Sequence, residues 1–134
     1  MWRGLLILSI TWLLLLGCAS ETREEQGIAV NEKALITFVE LGSVRCVPCK
    51  KMQPVMTSIE ARYGDQIQVV FYDVWEADQK HYAQQYGIKL IPTQVFLDSK
   101  GNEIMRHEGF FPEAEIDAFL VAQGLTASKM STSL

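Results

Sequence analysis

Cys46 and Cys49 stand three residues apart in Arg45-Cys46-Val47-Pro48-Cys49, between an apolar, β-rich run and a segment with helical spacing. That placement gives two thiols a chemistry. Free N–H groups at a helix N-terminus favour negative charge. A thiolate at Cys46 is therefore stabilised, and its pKa is expected below the free value of about 8.5. Arg45 adds a positive charge beside it. Cys49 follows one turn further in, close enough to attack a mixed disulfide formed at Cys46. Pro48 has no N–H to lose and suits the first turn of a helix. Two other uses of the pair compete. A zinc site needs four ligands, yet the chain has no second Cys pair, and His81 and His107 stand apart among surface-like residues. The other is a purely structural disulfide. A redox pair accounts better for the short spacing at a helix start, so neither a metal nor a cofactor is expected.

The surrounding pattern alternates strand and helix. Residues 34–41 (ALITFVEL) are mostly apolar and β-rich, as in a strand buried on both faces. Met52, Val55, Met56, Ile59 and Tyr63 recur at helical spacing and predict a helix over 48–63, with both methionines in the core. Residues 67–74 (IQVVFYDV) read as a second buried strand. A polar helix over 77–86 is expected to end at Gly87. Residues 93–97 and 103–107 flank Asp98-Ser99-Lys100-Gly101-Asn102, a hairpin with glycine where a left-handed residue is wanted. Pro112 opens a last helix that should bury Ile116, Phe119 and Leu120 and stop near Gly124. The order β-α-β-α-β-β-α predicts an α/β sandwich on a four-stranded mixed sheet with flanking helices. A helical crossover makes its first two strands parallel.

A chain of 134 residues holds one domain. Its net charge of −4, with no basic run, gives nucleic-acid binding little support. Three cysteines leave one unexplained. After Arg3, residues 5–16 are almost unbroken apolar sequence, shorter than the roughly 20 residues a membrane span needs. The stretch ends in Leu15-Leu16-Gly17-Cys18, which resembles the bacterial lipobox, where cleavage precedes the Cys and its thiol takes a diacylglycerol. An ordinary signal peptide or short anchor that happens to contain a Cys is the alternative. Lipidation of Cys18 leaves an even pair. The expected organisation is a lipoprotein signal peptide over 1–17, a lipid-anchored polar tether over 18–33, the domain over 34–124 and a flexible tail over 125–134. The protein is then expected in the bacterial cell envelope, facing the periplasm from the outer or inner membrane, where disulfides persist.

From about Ala34 to Gly124 the chain resembles the thioredoxin family. The segments that carry the resemblance are ITFVELGSVRCVPCKKMQPVM, YGIKLIPTQVFLDSKGNEI and the region of Gly109. It implies a thioredoxin-like fold, shortened because only the tether stands where the family has its first strand and helix. It implies that Cys46 and Cys49 close to a disulfide, that Ile91-Pro92-Thr93 is the cis-proline loop, and that Pro54 kinks the helix. Glu40 stands where the family has a buried Asp beneath the second Cys, which helps move that thiol's proton; a strand-end Glu reaching solvent is the alternative. The chain departs from the family at Arg45 and Gly42, where Trp is common. It has Asp73 at the strand end where a Lys often neighbours the acid. Val47, Trp75, Leu90, Ile91 and Phe110 are expected to rim the pair and bind substrate, with Leu90 and Phe110 flanking the groove. Trp75 and Phe110 read equally well as ordinary core or loop residues.

These features together point to a thiol–disulfide oxidoreductase that exchanges its dithiol with disulfides of envelope proteins. Pro48 and Ile91 resemble the reducing members of the family, so a reductase is expected. A reductase outside the cytosol needs electrons, which implies a membrane thiol-electron donor as a partner. A disulfide oxidase or isomerase, or a redox-inert or metal-carrying binding module on the membrane, are the competing functions.

Overall fold

A computed structural model describes residues 33–128. The signal-peptide and lipidation expectations at 1–17 and Cys18, and most of the tether, lie outside the described residues. Seven elements follow in the expected order: β1 (Ile36–Gly42), α1 (Val47–Tyr63), β2 (Ile67–Asp73), α2 (His81–Gln85), β3 (Thr93–Asp98), β4 (Glu103–Glu108) and α3 (Glu113–Ala122). The sheet order is β2-β1-β3-β4. β1 runs parallel to β2, and the β1–β3 and β3–β4 pairs are antiparallel. β1 is therefore central and buried along its whole length. β2, expected to be buried, is an edge strand and half-exposed in its middle.

Alternation along β1 divides the interior in two. Phe38 and Ile36 face α1 and α3 and pack with Met52, Ile59, Phe96 and Leu120. Val39 and Leu41 point to the other face, where they meet Val95 and Tyr72. Residues two apart on a strand share a face, so Glu40 and Gly42 belong to the α1 side with Phe38. Ile116 and Leu120 of α3 are fully buried, while Phe119 is only half-buried and packs edge-on against Phe96 at 5.1 Å.

The polar helix expected over 77–86 is shorter than its pattern suggests. Residues 74–80 make successive turns instead, with Gln79 N–H donating to Glu76 O and Tyr82 N–H to Gln79 O. The Gln79 side chain accepts the Asp73 N–H at 2.9 Å, which ties this segment to the end of β2 and delays the helix. At the β3–β4 turn, Asp98 Oδ1 accepts the N–H groups of Lys100 and Asn102, and Gly101 takes the positive φ of +81° that the turn requires.

Candidate active site

Cys46 is the residue that caps α1, and its extended backbone (φ −89°, ψ 126°) turns the chain into the helix. Pro48 follows in the first turn, where its missing N–H costs nothing. Cys46 and Cys49 are joined in a disulfide with a Cα–Cα distance of 5.2 Å. Only Cys46 retains solvent exposure, 8%, and Cys49 has none. The two sulfurs are thus unequal: one is reachable from outside, the other lies behind it.

The loop before the pair is held from β2. Asp73 Oδ2 accepts the Val44 N–H at 3.0 Å and the Ser43 hydroxyl at 3.3 Å, and Oδ1 accepts the Trp75 N–H at 3.0 Å. Burial alone would push this carboxyl's pKa up. The donors from Val44, Trp75 and Ser43, with the Arg45 charge, outweigh it and hold the group below its ordinary range. One carboxylate therefore fixes both loops that approach the Cys pair. Arg45 reaches across them, donating to Trp75 O at 3.3 Å and to Glu76 at 3.4 Å, with its guanidinium 5.7 Å from the centre of the Trp75 ring. The sequence marked Asp73 only as a departure at a strand end. Its function as an anchor depends on a partner thirty residues away.

Beneath the disulfide lies Gly42. A Cβ built on it would sit 3.2 Å from both Cβ and Sγ of Cys49. Glu40 is one pleat further along the same face of β1 and is fully buried. The alternative of a strand-end Glu in solvent is excluded. Burial raises the pKa of Glu40 to about 8, against the lowering effect of a hydrogen bond from Gln94 Nε2 to Oε2 at 2.9 Å. Gln94 is equally buried and pairs with Glu40 in the β1–β3 register. No Lys takes part in this pair. Reading the strands singly did not select Gln94, because it is polar in an apolar run and its partner comes from another strand.

The Ile91–Pro92 peptide is cis, as the resemblance implied. Leu41 pairs with Thr93, which brings Pro92 to the end of β1 where Gly42 and Cys49 meet. Pro92 O accepts the Gly109 N–H at 2.8 Å, so the loop carrying Phe110 sits against the proline loop. His107 completes that loop: its ring stacks on Phe111 at 4.0 Å, and its Nε2 is 3.2 Å from Phe110 O. Val47, Trp75, Leu90 and Phe110 are all exposed, and so is Val44. Ile91 departs from the expectation. It is half-buried and packs partly onto the second core with Val39 and Leu41.

An α/β sandwich with a dithiol–disulfide couple at a helix N-terminus, beside a cis-proline, defines a thioredoxin-type site. A thioredoxin-like domain model matches residues 24–124, and the chain belongs to this family. The match starts ten residues ahead of Ala34, within the stretch read as a tether. The chain is 35% identical to thioredoxin 1 of Synechococcus elongatus over 72 residues, covering 53% of this chain and 65% of that one. A thioredoxin-type protein of Arabidopsis thaliana is 34% identical over 77 residues, covering 58% of this chain and 48% of its own. The chain thus spans about half to two thirds of the length of these relatives. A mutant thioredoxin from Halobacterium salinarum superposes with a TM-score of 0.59 at 18% identity, covering 74% of this chain and 83% of the other, and shares the fold.

Proposed function

We propose that the protein is a thiol–disulfide oxidoreductase in which Cys46 is the nucleophile and Cys49 the resolving thiol. The observation that carries this is the inequality of the two sulfurs: Cys46, at the start of α1, keeps 8% of its surface open to solvent, and Cys49 keeps none. In the reduced protein, the Cys46 thiolate attacks one sulfur of a substrate disulfide. A mixed disulfide forms and the other substrate sulfur leaves as a thiolate. Cys49 gives its proton to the Glu40 carboxylate and attacks Cys46 Sγ, which closes the Cys46–Cys49 disulfide and releases the second substrate sulfur as a thiolate; the two substrate thiolates take up one proton returned by Glu40 and one from water. Two electrons pass to the substrate. A second dithiol must return them to the protein.

The direction proposed is reduction, supported by Pro48 within the Cys pair and Ile91 before Pro92. The substrates proposed are disulfides of envelope proteins. These dock as an extended segment along the Pro92 loop between Val47, Trp75, Leu90 and Phe110. The location rests on the lipobox-like run ending at Cys18, which tethers the domain to a membrane and makes a membrane thiol-electron donor its source of electrons.

Cysteine trapping tests the roles. Cys46→Ser should abolish exchange, and Cys49→Ser should accumulate mixed disulfides with substrate proteins. Adducts on Cys46→Ser but not on Cys49→Ser would reverse the assignment. A glutathione titration tests direction, because a reduction potential at the oxidising end of the family's range would rule out the reductase.

A further inference from the structure

A fully buried polar contact joins β1 to β3 and uses only part of its hydrogen-bonding capacity. Gln94 Nε2 donates to Glu40 Oε2, while Glu40 Oε1 and Gln94 Oε1 are both buried without a hydrogen-bond partner. Both side chains are wholly screened from solvent. An ionised carboxylate can only accept, and an amide oxygen can only accept. Two unsatisfied buried acceptors on one contacting pair are costly, because each has given up water without gaining a donor. A single proton removes the conflict. A carboxylic acid and a primary amide match each other in two parallel hydrogen bonds, N–H to one carboxyl oxygen and O–H to the amide carbonyl.

We propose that Gln94 is a positioning residue for Glu40: its amide pairs with the protonated carboxyl through two hydrogen bonds, Nε2–H to Oε2 and Oε1–H to the Gln94 carbonyl, and so sets when Glu40 holds and when it releases its proton. This deepens the Proposed function and rests on its assignment of Glu40 as the acceptor of the Cys49 proton. In that step the Cys49 S–H bond breaks, an O–H bond forms on Glu40, and the new proton is held against the Gln94 carbonyl. On ionisation the O–H bond is lost, but Nε2–H still supports the carboxylate through a charge-assisted bond. Gln94 therefore serves both states, whereas a cation in its place would favour only the ionised one. With its pKa raised to about 8, Glu40 has both the acid and the carboxylate within reach near neutral pH, so it can take up the Cys49 proton and hand it on.

Other ionisable groups face the same side of the sheet. Cys49 and Tyr63 are on α1, Asp73 on β2, His107 on β4 opposite Gln94, and Asp117 on α3 beside Tyr63. His107 stands opposite Gln94 in the β3–β4 register, so the test must separate its effect from that of Glu40.

The experiment is an NMR titration of the reduced full-length chain in detergent, following the Glu40 carboxyl carbon and the Gln94 side-chain amide together. Both should move in one transition with a common midpoint, and the transition should persist in His107→Gln. Gln94→Glu should replace the single transition by two, as two carboxyls come to share one proton. A Gln94 amide that stays still while Glu40 titrates, or that moves only when His107 is present, would overturn the pairing. If Glu40 and Gln94 titrate together and Glu40→Gln still exchanges disulfides at the wild-type rate, the pairing stands and the proton-acceptor assignment of Glu40 falls.

Discussion

Gly42 approaches Cys49 so closely that a methyl group on it would lie 3.2 Å from both the Cβ and the Sγ of that cysteine. Cys49 is fully buried, fixed on α1 and tied to Cys46, so it has little room to give. The expected outcome for Gly42→Ala is overpacking, a loss of about 1–3 kcal/mol. Urea unfolding of the oxidised protein measures it. The position tolerates a side chain if the midpoint and slope are unchanged.

Glu40 makes stability depend on pH with a definite sign. Its folded pKa of about 8 lies above the ordinary carboxyl value of 4.5, so between these values the native state binds more protons than the unfolded one. Its contribution is complete below about 4.5 and is lost as pH rises towards 8. The loss by pH 7 is on the order of 3 kcal/mol. Glu40→Gln should flatten this decline, so the variant gains on the wild type as pH rises. Denaturant midpoints for both proteins across the window supply the comparison, and parallel curves would mean that Glu40 titrates normally.

Arg45 is expected to influence the redox pair only weakly. Its guanidinium is occupied by Trp75 and Glu76, and the Arg45 and Glu76 side chains are 61% and 54% exposed. Its removal should raise the Cys46 pKa slightly and destabilise the thiolate form, which moves the potential in the reducing direction. The shift should not exceed about 30 mV, given screening of exposed charges. Thiolate absorbance and a glutathione titration of Arg45→Ala read the two quantities. A shift towards the oxidising side would contradict the sign.

The lipid anchor is tested independently of the redox chemistry. A labelled fatty acid should enter the full-length protein, and Cys18→Ala should lose the label while keeping its Cys46–Cys49 exchange. Unlabelled wild-type protein released freely into the periplasm would dismiss the anchor.

Much of this protein was legible along the chain because the relevant forces are local. Hydrophobic period separated strands from helices, and the boundaries of β1, α1, β3 and α3 fell within a residue or two of expectation. The Cys pair and the turn at Gly101 declare themselves by spacing and by backbone demands that neighbouring residues impose, and Pro92 was marked by the resemblance to the family. The length of α2 was misread because its pattern is locally helical, while Gln79 is bonded to Asp73 on β2. What only the tertiary structure decided are pairings between distant strands. Asp73 became an anchor for the loops at Val44 and Trp75, and Ile91 was drawn partly into the second core. Whether Glu40 met solvent or burial, and what stood beside it, was decided by the register that sets it opposite Gln94. A carboxyl's proton affinity follows its surroundings, and for Glu40 those surroundings come from residues 54 positions away.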